Sequence, residues 1–326
     1  MVTKRKSGTK KKMDFKRRSR QEIYAVVEQE IIDALDDWQV PWHRAWANMV
    51  NGGIQTNPCT GTEYKGINLI NTTVHQAVRG YQYPYWITYK DAAKQGCKVT
   101  AGKGIRIIKW FFPEPIQAKD ANGQPRLDEN GEPQMVKRQP HAQLSVVWNI
   151  AEVQGEFKLP KKFKLEPPKK FNVVKAAEKI AAAYLANSGP SLSHDGGERA
   201  YFVPTKDEIH MPTRESFDSP NEYYSTLFHE MGHSTGHESR LNRRGSEVIR
   251  HFGDEAYGLE ELTAEFTSAF VAMNCGVDTT IKNSTAYIKN WSEAIKANKG
   301  MVVDAAGKAQ KAADYILSRK TGGAAK

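Results

Sequence analysis

The sequence lacks what a membrane-spanning or disulfide-stapled protein requires. No stretch comes near the roughly 20 consecutive apolar residues that cross a bilayer, and hydrophobic residues make up only 39% of the chain. No membrane partner is expected. Cysteine is scarce and scattered: Cys59, Cys97 and Cys275 form no C-x-x-C pair. Free thiols in a reducing, cytoplasmic compartment are therefore expected. The N-terminus has no apolar secretory run. Acid is almost missing from the first 20 residues, where ten Lys and Arg face only Asp14. That segment carries most of the net charge of +10, and the remainder is nearly neutral. Residues 1–15 read as a flexible basic tail that attracts polyanions without specificity. No internal repeat is apparent, which excludes repeat architectures.

What is present suits two domains, since 326 residues can build two separate cores. Residues 19–37 read as a first helix: Ser19 and Glu22 have capping-box spacing, and Ile23, Val27, Ile31, Leu35 and Trp38 recur at helical intervals. Helices are expected near 67–79 and 88–95, the second capped by Thr88 and Asp91, with strands at 105–112 and 143–150. Asn122-Gly123 and Asn130-Gly131 mark turns in a long exposed hairpin or loop at 118–140. Residues 155–171 are rich in Lys and Pro and read as a linker. An Ala-rich helix follows from Asn172, then short strands at 200–203 and 208–211, then helices near 220–236, 257–275, 284–298 and 301–319. The expected division is 16–154 and 172–326, and the fold class is α+β.

Residues 229–233 read His-Glu-Met-Gly-His. On a helix, residues at i and i+4 share a face, so His229 and His233 can reach one Zn²⁺ at about 2.0–2.1 Å. The helix signals are in place: Ser219 as N-cap, Pro220 at the first position, and Glu222 to complete a capping box. Glu230 stands beside the ligands as the catalytic base, able to take a proton from a water polarised by the ion. A catalytic site needs a third protein ligand. The x-x-Gly-x-x-His continuation fails, because Ser239 stands where the His belongs. Glu260-Glu261-Leu-Thr-Ala-Glu265 supplies the best candidates. Glu261 is assigned to the metal and Glu265, four residues on, to orienting a ligand His, an arrangement similar to that of gluzincins. Glu260 remains the rival for the metal, with His237 and His251 as further donors. Mn²⁺ or Co²⁺ also suits such a donor set. The 200–211 segment can pair with a peptide as an edge strand. Tyr223, Tyr224 and Tyr257 are open candidates for an oxyanion hydrogen bond.

In the N-terminal half, Arg79, Lys90, Lys94, Lys98, Lys103, Arg106 and Lys109 face a single acid, Asp91, and are interleaved with Tyr81, Tyr83, Tyr85, Trp86 and Tyr89. Trp38, Trp42 and Trp46 stand upstream. Cations that follow phosphates and rings that stack on unpaired bases suit single-stranded DNA. An aromatic-rich core fits the same residues. From this pattern, DNA contacts are assigned to Arg79, Tyr81, Tyr85, Trp86, Lys90, Lys94, Lys98, Lys103, Arg106 and Lys109.

The segments Asn57-Pro58…Thr60-Gly61…Tyr64…Gly66-Ile67-Asn68, Pro84-Tyr85-Trp86-Ile87-Thr88-Tyr89 and Gly102-Lys103-Gly104 resemble the N-terminal domain of ArdC-type antirestriction proteins. Related domains precede plasmid primases of the TraC type. Tyr223-Tyr224…Thr226-Leu227-Phe228-His229-Glu230-Met231-Gly232-His233-Ser234-Thr235-Gly236-His237, Arg240-Leu241-Asn242-Arg243 and Glu260-Glu261-Leu262…Ala264-Glu265 resemble the same family's zincin-like C-terminal domain. The resemblance implies a conjugative-plasmid protein that binds single-stranded DNA and shields incoming DNA from host restriction. It implies a mainly helical gluzincin-like metallopeptidase domain with a Glu as third zinc ligand. Its protein substrate is left open, a restriction-system component among the candidates. Two other readings fit the residues: a DNA-binding protein with a structural zinc, and a protease of DNA–protein crosslinks.

Overall fold

The computed structural model describes residues 18–36, 54–120, 122–163, 173–243, 255–277 and 300–319. The basic tail, Trp38, Trp42, Trp46, His251, the expected Asn172 cap and the helix expected at 284–298 lie outside the described residues.

Local signals in the sequence become elements where they were expected. Helix α1 (Arg20–Asp36) opens on a reciprocal capping box. The Ser19 backbone N–H donates to Glu22 Oε2 at 2.6 Å, and the Glu22 N–H donates to Ser19 Oγ at 3.2 Å. After the short pair β1 (Thr56–Asn57) and β2 (Thr62–Glu63) comes α2 (Ile67–Val78). Strand β3 (Trp86–Thr88) leads into α3 (Tyr89–Lys94), whose capping box is Thr88 with Asp91. Strand β4 (Lys98–Val99) precedes the long hairpin of β5 (Ile105–Phe111) and β8 (His141–Asn149). Strands β3, β8 and β5 form an antiparallel sheet in that order. The open edge of β5 is closed by side chains of α2. Asn68 donates to the Ile108 carbonyl at 2.7 Å and accepts from its N–H at 2.8 Å, and Asn71 donates to the Arg106 carbonyl at 2.8 Å. Two amides thus replace a strand neighbour and satisfy an exposed edge.

Between β5 and β8, β6 (Ile116–Gln117) and β7 (Met135–Val136) begin an arm that does contain a repeat. Asp-x-Asn-Gly-x-Pro occurs at 120–125 and again at 128–133. Each Asp Oδ1 accepts two backbone N–H groups, from Asn122 and Gln124 in one turn and from Asn130 and Glu132 in the other. Gly123 and Gly131 take positive φ, +81° and +80°, which the tight turns require. Ala118 N–H donates to Gln134 O, Gln134 N–H to Arg126 O, and Arg126 N–H to Ala118 O. The expected hairpin or loop is therefore an arm of one two-stranded pair, β6 with β7, extended by isolated bridges at Lys119–Pro125 and Leu127–Pro133 and closed by a ring of backbone bonds.

Strand β9 (Val153–Gln154) pairs with β4. The beginning of the expected linker is docked rather than loose. Phe157 packs on the Ile87–Ala92–Cys97 cluster, and the Phe163 ring meets Tyr85 edge-on at 5.5 Å. The second domain runs α4 (Val173–Asn187), β10 (Ser191–His194), β11 (Tyr201–Val203), β12 (Glu208–Met211), α5 (Pro220–Ser234), α6 (Glu255–Cys275) and α7 (Met301–Ile316). Its sheet has the order β10–β12–β11, with β10 parallel and β11 antiparallel to β12. The fold is α+β in two domains, as expected from the sequence. One apolar cluster nevertheless runs through both. Ile23, Val27 and Ile31 of α1 share it with Phe270 of α6 and with Val302 and Ala306 of α7. Buried Glu28 of α1 accepts the Gly300 N–H at 2.8 Å, at the start of α7.

Candidate metal centre

Helix α5 starts where its cap dictates. Ser219 Oγ accepts the Glu222 N–H at 3.2 Å and Pro220 occupies the first turn. The Glu222 carboxylate accepts from Asp218 N–H at 3.0 Å, one residue earlier than a capping box places it. Leu227, Phe228 and Met231 are fully buried and fix the rotation of the helix. The opposite side then presents His229 and His233 together, with their Nε2 atoms 3.1 Å apart. Two nitrogens on one tetrahedral ion at about 2.05 Å would lie about 3.3 Å apart.

Helix α6 brings the carboxylates. Close approach is needed, and Gly232 permits it: a Cβ there would stand 3.1 Å from Ala264 Cα and 3.2 Å from its carbonyl oxygen. Across this contact Glu261 faces both imidazoles, with oxygens 3.6 Å from His229 Nε2 and 3.5 Å from His233 Nε2. One donor atom from each of His229, His233 and Glu261 lies within 4.8 Å of the others. Glu265 Oε1 stands 3.5 Å from His229 Nδ1, and Glu260 Oε1 stands 3.6 Å from His233 Nδ1. The structure therefore separates the two adjacent acids. Glu261 faces the nitrogens that converge, whereas Glu260 faces the far side of one ring and is held by Arg243. Glu230 is buried beside the pair. His237 points elsewhere, its Nδ1 hydrogen-bonded to Ser239 Oγ at 2.8 Å.

The electrostatics follow from these distances. Burial opposes protonation of His229, but Glu265 and Glu261 outweigh it and raise its pKa. Burial likewise works against charged His233, yet Glu260 and Glu261 hold it up to about 9. Burial penalises ionised Glu260, but His233 and Arg243 bring it down to about 2. Glu261 is driven lower still by the two imidazoles, again against burial. A negative pocket around two converging nitrogens is what a divalent cation requires. His233 Nδ1 is buried without a hydrogen-bond partner, and Glu260 is the carboxylate nearest to it. The residues fit a His₂Glu metal site.

The tyrosines are spoken for. Tyr224 OH donates to Glu178, and Tyr223 OH pairs with His194 Nε2 at 3.0 Å; both rings are 2% exposed. Core packing, rather than an oxyanion bond, explains these two; the Tyr257 side chain lies outside the described residues. Strand β11 sits at an edge of its sheet, and Phe202 in it meets the His237 ring edge-on at 6.5 Å. This narrows the expected peptide-pairing segment to 201–203.

The N-terminal residues divide. Trp86 is 0% exposed, Tyr85 1% and Tyr81 7%, which corrects their assignment to base stacking: no ring face is open. Trp86 Nε1 donates to Gln55, Gln55 to Gln76, and Gln76 to the Tyr81 carbonyl, a buried network with its donors satisfied. Tyr81 OH donates to Glu152 at 2.7 Å. Arg106 is committed to Glu30 at 2.5 Å, and Arg79 to the Lys103 carbonyl. Lys90, Lys94, Lys98, Lys103 and Lys109 are exposed. Of the aromatics interleaved at 81–89, Tyr89 is open, 61% exposed on α3 beside Lys90; Trp110 and Phe112 beyond them are exposed as well. A signal for this was present: Tyr85-Trp86-Ile87 is an unbroken apolar run, hence buried on both faces, whereas Tyr89 follows an N-cap and starts a surface turn.

Residues 21–148 match the family described as the N-terminal domain of anti-restriction factor ArdC, and residues 178–308 match one described as zincin-like metallopeptidase. Two Escherichia coli proteins named DNA primase TraC are each 35% identical over 303 and 298 residues. These alignments cover 91% and 90% of this chain but only 20% and 27% of theirs. The uncharacterized protein y4eC of Sinorhizobium fredii is 28% identical over 308 residues, 92% of this chain and 93% of its own. Among solved structures, antirestriction ArdC protein from the R388 plasmid is similar in metal-free and Mn(II)-bound forms. The TM-score is 0.64 for both, identity is 28% and 29%, and 90% of this chain is covered with 96% and 97% of those chains.

Proposed function

The chain belongs to the ArdC family of antirestriction proteins, an ArdC N-terminal domain joined to a zincin-like metallopeptidase domain, and from this premise we propose that it binds single-stranded DNA, protects incoming DNA from restriction in the cytoplasm, and hydrolyses peptide bonds at a divalent-metal centre. The observation that carries the reading is the convergence of His229, His233 and Glu261 around one point, with Glu230 buried beside it. Zinc suits the donor set, and manganese is admitted by the Mn(II)-bound relative. Bound there, the ion supplies a Lewis acid that polarises water and the scissile carbonyl. Glu230 accepts the proton from the attacking water and returns it to the leaving amine. Glu265 orients His229 by its Nδ1. Strand β11, an outer strand of its sheet, is placed to take the substrate backbone in extended form.

DNA engages the face of α3 and β4. Tyr89 offers an exposed ring, and Lys90, Lys94 and Lys98 supply cations along the same surface. Holding both activities in one chain places the peptidase near proteins on the bound strand, at high local concentration. The two domains divide at 16–154 and 172–326.

The test is protection of conjugated DNA from restriction in cells, comparing wild type with Glu230→Ala, alongside metal content and single-strand binding. A mutant that folds, holds its metal and binds DNA but no longer protects supports proteolysis as the protecting chemistry. Full protection by that mutant refutes it and transfers the role to the DNA-binding face.

A further inference from the structure

Arg243 follows α5 in the turn that leads away from the metal centre, and its side chain is 7% exposed. Its guanidinium makes a closed set of bonds. Nη2 donates to the Gly232 carbonyl at 2.9 Å, and Nη1 to Thr235 Oγ1 at 2.5 Å. Nη2 and Nε reach Glu260 Oε1 and Oε2 at 2.7 and 3.4 Å. The first two contacts tie down the C-terminal end of α5, where the Gly232 carbonyl lies past the last backbone N–H the helix can offer it. The second pair is a fork-to-fork grip that fixes the plane of the Glu260 carboxylate. Glu260 Oε1, the atom held at 2.7 Å, is also the atom facing His233 Nδ1 at 3.6 Å. That nitrogen is buried and has no hydrogen-bond partner. Glu260 is the carboxylate that faces it.

We propose that Arg243 is a positioning residue of the metal centre: it fixes Glu260 against Nδ1 of His233 and thereby directs Nε2 of that ring to the ion. The inference rests on the reading of His229, His233 and Glu261 as the metal site. Two adjacent acids then have different duties: Glu261, about 100° away around α6, faces the converging nitrogens, while the guanidinium holds Glu260. A Lys at 243 would carry the charge but could not grip both carboxylate oxygens while also bonding the α5 carbonyl and Thr235.

The experiment measures Zn²⁺ affinity by competition with a chromophoric chelator, and the absorption spectrum of the Co²⁺-loaded chain, for wild type, Arg243→Lys, Arg243→Gln, Glu260→Gln and the double variant Arg243→Gln/Glu260→Gln. Circular dichroism and single-strand DNA binding follow the fold. The expected result is a Zn²⁺ affinity about 10- to 100-fold weaker in each single variant, an altered Co²⁺ spectrum, and a double variant little worse than the weaker single. If Arg243→Gln does not fold, Arg243→Lys and Glu260→Gln carry the test. Affinity within twofold of wild type in the folded variants overturns the proposal and leaves Arg243 a structural clamp. A wild-type chain that takes up neither Zn²⁺ nor Mn²⁺, and matches His229→Ala in this respect, overturns the metal-site reading and the proposal together.

Discussion

Glu260 and Glu261 are neighbours in sequence, but about 100° of helix rotation separates them, and that rotation assigns one to Arg243 and the other to the imidazole nitrogens. The charges around His233 predict how the metal-free chain responds to pH. Against burial, Glu260 and Glu261 raise His233 from its ordinary 6.5 to about 9. Its contribution to stability is therefore fully present below pH 6.5 and is lost as pH rises through 9. Against burial, His233 and Arg243 lower Glu260 from 4.5 to about 2, so its contribution is present above pH 4.5 and is lost as pH falls towards 2. The melting temperature of the metal-free chain should therefore decline from pH 6.5 to 9, while the gain on adding Zn²⁺ grows over the same range, because binding needs neutral imidazole. A metal-free melting temperature that rises between pH 6.5 and 9 would contradict this account. At the same scale, Glu230→Gln should retain metal and abolish peptide hydrolysis in a single-turnover assay; retained hydrolysis would remove Glu230 as the base. His229-Glu230-x-x-His233 was legible because spacing on a helix fixes direction. The division between Glu260 and Glu261 was not, since nothing local says which side of α6 meets α5.

Elements act through their contacts. Helix α5 meets α6 at Gly232, where a methyl group would stand 3.1 and 3.2 Å from Ala264 backbone atoms. Gly232→Ala should push the helices apart and cost about 1–3 kcal/mol by overpacking, against less than 1 kcal/mol gained in helix propensity. Urea titration should show a lower midpoint, and Zn²⁺ affinity should fall because Glu261 moves away; an unchanged midpoint would mean the contact relaxes freely. Helix α3 carries the proposed DNA face. Replacing Tyr89, Lys90 and Lys94 with Ala should weaken single-strand binding. With two cations removed, the dependence of log affinity on log salt should flatten by about 1.4. Replacing buried Trp86 should instead unfold the domain. The aromatic segment 81–89 shows the limit of composition: it distinguishes aromatics from aliphatics, but not a ring buried under β8 from one facing water.

At the scale of the whole molecule, the two domains share an apolar cluster, and α1 caps α7 through Glu28 and Gly300. Calorimetry on the metal-free chain should therefore show one cooperative transition; two separated transitions would show that the halves are energetically independent. Gly66 N–H bonded to Gln310 Oε1 at 3.0 Å adds a second tie between α2 and α7. This joint was not foreseen from a chain read as two domains and a linker. Contacts between residues some 270 positions apart leave no mark on periodicity or turn chemistry.

The sequence alone determined whatever depends on neighbours within a few turns. It placed the caps at Ser19, Thr88 and Ser219, the turns at Gly123 and Gly131, the α+β class, and the histidine pair, because helix and turn geometry link each residue to those three or four positions away. Tertiary structure decided what depends on which faces meet. It turned Glu261 to the imidazoles and Glu260 to Arg243, buried Tyr81, Tyr85 and Trp86 while exposing Tyr89, and ran one core through two domains. The reason is that side chains of the same chemical type are sorted between core, surface and site by the packing of distant elements, which no local pattern encodes.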